Sequence, residues 1–344
     1  MAGREGILGA YVERPAKHYN AAYGTFYDAI FFINSYGKAP MDFKSVLDVQ
    51  ERLEGVQYIS SKEISTVVFL AQATKKPILV EGPAGVGKTE LAKSVAKCLD
   101  REMIRMQCYE GLDESKALYE WEYAKQLLYT QMVKEKIHDV ISETATLKEA
   151  VDQIADHEDA FFSERFIQTR PLLQAIRSEK PVVLLIDEVD KSDPEFEAFL
   201  LELLSDFQVS IPEIGTIKAV THPFVVLTSN NYRDMSDALK RRCIHLYIDY
   251  PAIETEMHIV KMKLPGMDEA LLARLVSMVA RIRDLDLKKR PCISETLDWA
   301  RSLMVLQIDE LSAESVAQTL NTICKHKSDY EIVKKNILNV IKQG

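Results

Sequence analysis

The sequence predicts a doubly wound α/β fold, a parallel sheet with helices on both faces, followed by an all-helical C-terminal domain. Three observations carry this. Short apolar runs, Pro77-Ile78-Leu79-Val80, Pro181 to Ile186 and Phe224 to Leu227, have the length and β-branched content of strands buried on both faces. Helix-like segments alternate with them, the order that builds a parallel sheet. After Pro251 no strand signal returns, and about 90 residues carry helical spacing alone.

Taken in order, residues 1–45 crowd Tyr11, Tyr19, Tyr23, Phe26, Tyr27, Phe31, Phe32, Tyr36 and Phe43 into a segment without clear period. Such a segment is too aromatic for a solvated tail. It packs either on its own domain or on a neighbouring subunit or partner. From Val46 to Ala73 the pattern is helical, ending just before the strand at Pro77. Leu91, Val95 and Leu99 recur at helical spacing, and Met103 to Gln107 reads as a second strand. Asp113 to Ile176 is long, charged and helical in pattern. Lys88 and Asp187 lie 99 positions apart, more than a simple β-α-β-α-β passage uses, so this stretch is a helical insertion.

The strand Pro181 to Ile186 precedes a helix with Phe196, Phe199, Leu200, Leu203 and Leu204 on one side. Gln208 to Lys218 reads as two short strands joined by a turn, either a structural ribbon or a surface that touches a client. Phe224 to Leu227 and Ile244 to Ile248 are further strands. Beyond Pro251, Leu271, Leu275, Val279 and Ile282 share a helical face, and Leu297 to Leu306 gives another helix. The expected domains are 1–45, 46–250 with its insertion at about 113–176, and 251–344.

Composition narrows the classes. At 344 residues, 47% apolar and 28% charged, the chain has the make-up of an ordinary globular protein with a sizeable core. No run of about 18 apolar residues and no signal-peptide pattern occur, so the expectation is a cytoplasmic protein without a membrane span. The five cysteines are scattered without a metal-ligand spacing, which suggests reduced thiols. The seven histidines form no H-x-x-x-H pair, so no structural metal is expected. A net charge of −9 works against nonspecific attraction to nucleic acid or anionic membrane. Of two short basic clusters, Lys288-Lys289-Arg290 reads as a solvated face.

The chemistry-bearing residues begin after the first strand. Gly82-Pro83-Ala84-Gly85-Val86-Gly87-Lys88-Thr89 satisfies G-x-x-x-x-G-K-[ST], followed by Glu90. Glycines let successive backbone N–H groups turn inward around an anion, Lys88 reaches outer phosphates, and the Thr89 hydroxyl is placed for Mg²⁺. The loop opens a helix whose positive end faces the phosphates. ATP and Mg²⁺ are the expected ligands. The strand ending at Ile186 runs into Asp187-Glu188. Asp187 would hold Mg²⁺ through water while Thr89 binds it directly, leaving Glu188 to polarise an attacking water. Asn230, ending another buried strand, either hydrogen-bonds water and phosphate or simply makes a turn. Arg241 and Arg242 either offer planar donors to phosphate charge or form a surface cluster.

With these residues in view, the chain resembles AAA+ ATPases of the MoxR class. Gly82 to Thr89 looks like their Walker A element and Leu184 to Glu188 like Walker B. Leu227-Thr228-Ser229-Asn230 resembles sensor 1, and Ala238 to Cys243 the arginine-finger segment. Met106 to Asp113, Phe162 to Phe166, Asp237 to Cys243 and Tyr247 to Pro251 are similar to the CoxD branch, associated with maturation of a copper–molybdenum carbon monoxide dehydrogenase. The resemblance runs from about Val46 to the C-terminus.

It implies an AAA+ core with a C-terminal helical lid and Mg-dependent ATP hydrolysis. It also implies Asn230 as sensor 1 and Arg242 as a finger acting on a neighbour's ATP, with Arg241 the alternative. A hexameric ring, a metalloenzyme client and a partner with a von Willebrand factor A domain follow from it as well. Gln107 sits where a residue restraining the glutamate lies. One position departs from the pattern: where such lids bring an arginine to the nucleotide, this chain has Glu295. Either another basic residue, Arg290 or Arg301, supplies the cation or the lid couples weakly to nucleotide state. Among other classes, a nucleotide-dependent assembly switch with negligible turnover competes most directly. A nucleic-acid-directed ATPase fits the acidic balance poorly, and a small-molecule kinase fits the lid poorly.

Overall fold

The computed structural model describes residues 42–129, 131, 166–211 and 214–341. All but Asp42 belong to the compact unit Phe43–Gly344. The N-terminal segment up to residue 41 and most of the expected insertion lie outside the described residues.

The described strands are β1 (Ile78–Glu81), β2 (Met103–Gln107), β3 (Tyr119–Trp121), β4 (Ile167–Thr169), β5 (Val183–Asp187), β6 (Gln208–Ile211), β7 (Gly215–Lys218), β8 (Phe224–Ser229) and β9 (Ile244–Tyr247). Five of them form one sheet in the order β2-β5-β8-β1-β9, and every pairing in it is parallel. The register sets Gln107 beside Asp187, and Glu81 between Ser229 and Tyr247. The polar residues that end these strands therefore gather along one edge.

Both faces of the sheet are apolar because β5 alternates apolar residues into two cores. Leu184 and Ile186 join Ile104, Met106 and Leu227 on one side. Val183 and Leu185 join Ile78, Val80 and Val226 on the other. Period-two alternation in which both phases are apolar is what a doubly covered strand requires. The fold is thus the P-loop α/β sheet expected, with a helical C-terminal region.

The first helical stretch differs from the expectation. Val46 to Ala73 divides into α1 (Val46–Gly55) and α2 (Lys62–Thr74), each capped by a serine hydroxyl: Ser45 accepts from the Asp48 N–H, Ser61 from the Ile64 N–H. Gln57 between them is at φ 64°, and Tyr58 is buried in the break. Apolar periodicity continues across the gap, whereas capping chemistry stops the helix. Phe43 packs within this unit: its backbone exchanges two hydrogen bonds with the Gln72 amide, and the Arg52 guanidinium lies 4.7 Å from its ring centre.

The expected helical insertion is also corrected at its ends. The phosphate-type loop leads into α3 (Lys88–Leu99), and β2 is followed by the short helix α4 (Glu114–Leu118). The strands β3 and β4 then pair antiparallel, with Trp121 opposite Ile167 and Tyr119 opposite Thr169. Three-residue strands of aromatic and β-branched residues are too short to register against a helical pattern. The helix α5 (Pro171–Arg177) returns the chain to β5. As expected, β6 and β7 pair as a hairpin, after α6 (Pro194–Asp206) has buried Phe196, Leu200, Leu203 and Leu204.

Past β9, preceded by α7 (Asp237–Arg242), come α8 (Ile253–Lys263), α9 (Glu269–Arg283), α10 (Ile293–Val305), α11 (Ala313–Thr319), α12 (Lys327–Lys335) and α13 (Ile337–Ile341). Leu271, Leu275, Val279 and Ile282 of α9 pack with Trp299 and Leu303 of α10 in a core of their own. Arg283 ties this region together. Its guanidinium donates to both Glu256 oxygens (2.5 and 2.7 Å) and to the Pro291 carbonyl (2.7 Å), and lies 5.1 Å from the Tyr250 ring centre. Among the described residues no helix is long and apolar enough to cross a membrane.

Candidate functional site

The phosphate-type loop joins β1 to α3 at the carboxyl edge of the sheet. Two of its glycines admit no side chain. At Gly82 (φ 146°) a Cβ would lie 2.0 Å from the Ile248 carbonyl oxygen. At Gly85 (φ 76°) it would lie 2.1 Å from Cys292 Sγ. The first contact seats the loop against the end of β9; the second seats α10 directly on the loop. Gly87 is the N-cap of α3 and offers no side-chain acceptor, which leaves the first-turn N–H groups for an anion. Ala84 is exposed at the tip, while Val86 is buried.

Lys88 is 6% exposed, and its ammonium donates to the Gly82 and Pro83 carbonyls (2.6 Å each) and to Asn230 Oδ1 (2.8 Å). Burial pulls its pKa down to about 8, against an upward push from Asp190, Asp187 and Glu188. Asp187 is 3% exposed. Its Oδ1 accepts from Thr89 Oγ1 (3.0 Å) and Thr228 Oγ1 (2.5 Å), and its Oδ2 accepts from Arg105 Nη2 (2.6 Å) and Nε (3.1 Å).

Glu188 follows at φ 57° and donates its N–H to Thr228 Oγ1 (2.9 Å). Its Oε2 accepts from Gln107 Nε2 (2.7 Å) and Lys191 Nζ (2.6 Å), and its Oε1 from Asn230 Nδ2 (3.2 Å). Lys88, Thr89, Asp187, Glu188 and Asn230 are therefore one hydrogen-bonded network. Glu90 stands outside it, in the first turn of α3 beside Lys93 (3.8 Å).

Arg242 is elsewhere. It lies at the opposite, amino edge of the sheet, where its Nε donates to Ser205 Oγ (2.6 Å) and its Nη1 to the Ala238 carbonyl (3.3 Å). Arg241, exposed beside it, makes no hydrogen bond or ion pair among the described residues. Lys75, Lys76 and Lys218 line the same open cavity of about 750 Å³.

Glu295, at the departing position, caps α10. Its Oε2 accepts from the Cys292 N–H (2.8 Å) and thiol, and its Oε1 from Lys289 (3.0 Å). A cavity of about 650 Å³ flanks the loop between Tyr58, Gly85, Tyr247, Tyr250, Leu297 and Arg301. Arg301 faces it, and Arg290 does not line it.

Sequence reasoning misses Arg105, Thr228, Lys191 and Asp190 as members of the site. Arg105 and Gln107 are exposed at alternate positions of β2, between buried Ile104 and Met106. That alternation is a legible signal for one polar face. The contacts of Thr228 and Asp190 have none, because they depend on β8 lying beside β5.

An open parallel sheet carrying a glycine-rich loop, a buried lysine and strand-end carboxylates defines a P-loop nucleotide-binding protein. Residues 78–250, half of the chain, match the model of the ATPase family associated with various cellular activities (AAA). The chain belongs to that family, whose members bind ATP.

Among curated relatives, an uncharacterized protein of Staphylococcus haemolyticus is 25% identical over 83% of this chain and 97% of its own length. The gas vesicle ATPase GvpN of Haloferax mediterranei is 26% identical over 61% of this chain, which spans little more than half (57%) of that relative. Among solved structures, the RuvB Holliday junction branch migration motor of Thermotoga maritima aligns over 86% of this chain and 78% of its own, at 16% identity and a TM-score of 0.42.

Proposed function

We propose that this chain hydrolyses ATP with Mg²⁺ as a subunit of a ring, and uses the cycle to remodel a client protein. The observation that carries the reading is the continuous line from Lys88 through Asn230 to Glu188. It joins the phosphate-binding group to the water-activating one.

The Thr89 hydroxyl would hold a Mg²⁺ ion directly and the Asp187 carboxylate, 3.0 Å from it, would hold the ion through water, with phosphates and water completing the shell. Held there, it would supply positive charge against the phosphates. The remaining work belongs to side chains. Lys88 exchanges the Asn230 amide for a phosphate oxygen, so that nucleotide frees Asn230 to orient water. Glu188 accepts that water's proton once Gln107 and Lys191 release it. Arg242, held by Ser205 and Ala238 with Nη2 unbonded among the described residues, is a pre-positioned donor for ATP on an adjacent subunit. Arg301 supplies the cation on the lid side that Glu295 does not.

The sequence blocks similar to the MoxR class and its CoxD branch support a further placing: residues 46–250 as nucleotide-binding domain, 251–344 as lid, and a cytoplasmic hexamer. They also suggest a metalloenzyme client and a von Willebrand factor A domain partner. The relative named as a gas vesicle ATPase supports the ATPase activity. The test is specific ATPase activity against protein concentration, with particle mass measured at each point. Activity should rise as rings assemble; a rate indifferent to assembly sinks the ring.

A second reading, a nucleotide-dependent assembly switch, draws on the occupied state of Glu188, whose carboxylate is engaged by three side chains. Under that reading wild type and Glu188→Gln turn over equally slowly.

A further inference from the structure

Three residues beyond Asp187, a buried carboxylate meets the site's hydrogen-bonded network only through backbone N–H groups. Asp190 is 1% exposed and sits in the 3-10 turn Val189–Lys191. Its Oδ2 accepts two backbone N–H groups from the other loop, that of Asn230 (3.0 Å) and that of Tyr232 (2.8 Å). Its Oδ1 is buried with no hydrogen-bond partner among the described residues.

We propose that Asp190 is a positioning residue for hydrolysis, a cross-brace that fixes the Asn230 amide against Glu188. The assignment rests on the hydrolytic reading above. Glu188 and Asn230 come from separate strands, β5 and β8, and each leads into a loop with a left-handed residue, Glu188 at φ 57° and Asn231 at φ 59°. Backbone in that region holds only where its surroundings over-determine it. The sheet fixes the strand ends, yet the side chains emerge past the last pairing of β5 with β8, Ile186 with Leu227. Thr228 ties Asp187 and the Glu188 N–H across this gap, and Asp190 adds the contact that ties the turn after Glu188 to the backbone N–H of Asn230 itself.

A buried carboxylate with one idle oxygen is a costly way to close a turn, since a neutral side chain would accept the same bonds at a smaller desolvation penalty. The charge makes both bonds charge-assisted and so stiffer. Stiffness matters at this spot because Asn230 Nδ2 meets Glu188 at 3.2 Å, near the limit of a hydrogen bond. A small drift of the loop would lose the contact.

The test compares Asp190→Ala, Asp190→Asn and Glu188→Gln in the full chain. Turnover at saturating ATP, affinity for methylanthraniloyl-ADP and thermal melting are measured for each. Asp190→Ala should lower kcat about thirtyfold or more. Nucleotide affinity, measured well below pH 8 where Lys88 stays charged without the upward push of Asp190, should stay within about threefold, because Asp190 makes no hydrogen bond to Lys88 or the phosphate loop. Asp190→Asn, whose amide oxygen accepts the same two N–H groups, should recover kcat to within about fivefold of wild type.

Asp190 has no positioning role if Asp190→Ala turns over within about threefold of wild type while Glu188→Gln is inactive. The role is likewise excluded if kcat and affinity fall together, or if Asp190→Asn folds and is no better than Asp190→Ala. Should Asp190→Ala fail to fold, Asp190→Ser keeps one short acceptor and replaces it. An intermediate kcat then supports the brace and a wild-type kcat overturns it. If Glu188→Gln itself turns over like wild type, the hydrolytic reading fails instead.

Discussion

The two edges of the central sheet are built in opposite ways. At the carboxyl edge every functional side chain is already engaged: Lys88 by two carbonyls and Asn230, Asp187 by Thr89, Thr228 and Arg105, Glu188 by Gln107, Lys191 and Asn230. At the amino edge, Lys75, Lys76, Lys218, Arg241 and Arg242 share one open cavity with a single carboxylate, Asp206. One edge is self-satisfied and waits for a ligand to rearrange it. The other carries an excess of cations that the residues lining it do not neutralise. The contrast fits the proposed ring, in which each edge would supply half of a site.

Substitutions break or sharpen that contrast, the largest effect coming from the amino edge. Arg242→Ala should assemble normally and lose about 10³-fold in turnover, read from steady-state ATPase activity at a concentration where rings form. Arg241→Ala should lose far less. The reverse order would move the finger to Arg241. Glu188→Gln, at the other edge, should cost about 10²-fold or more in kcat with nucleotide still bound, checked by fluorescent-ADP titration.

Gly85→Ala combines a left-handed φ with a Cβ placed on Cys292 Sγ, so about 2 kcal/mol of stability should be lost. Because Cys292 Cβ would also lie 2.7 Å away, calorimetry of Gly85→Ala, Cys292→Gly and Gly85→Ala/Cys292→Gly separates the two causes. Relief by the second substitution marks the clash, and no relief marks the backbone.

A pH effect of roughly tenfold per unit follows from Lys88. Its pKa of about 8 leaves the ammonium charged below that pH and neutral above it, while phosphates require the charge. ADP affinity should be flat up to pH 8 and fall beyond, by titration at constant ionic strength. The smallest change is Ser205→Ala, which frees Arg242 Nε. Turnover should drop only severalfold, since one orienting bond is lost and the guanidinium remains.

How much of this is legible in the sequence depends on whether the determinant is local. The strands at Ile78, Met103, Val183, Phe224 and Ile244 follow from apolar runs, and the loop from glycine and lysine spacing, because backbone preference and side-chain alternation are set within a few residues. The break at Gln57 escapes such reasoning because apolar period outlasts the capping signal of Ser61. The β3–β4 ribbon escapes it because three-residue strands exist only by pairing with residues distant in the chain. Glu295 stands out as the wrong residue for a phosphate contact, but only packing reveals it as a helix cap tied to Lys289 and Cys292.

By itself, then, the sequence determined the α/β class, the helical C-terminal region, the phosphate loop and the acidic pair after β5. The tertiary structure alone decided which groups those residues meet. Strand order places β5 against β8 and β2, so Thr228 and Arg105 reach Asp187, Gln107 reaches Glu188, and Asp190 holds Asn230. It also sends Arg242 to the far edge. Periodicity is a property of neighbouring residues, whereas a hydrogen bond between loops is a property of the sheet that brings them together.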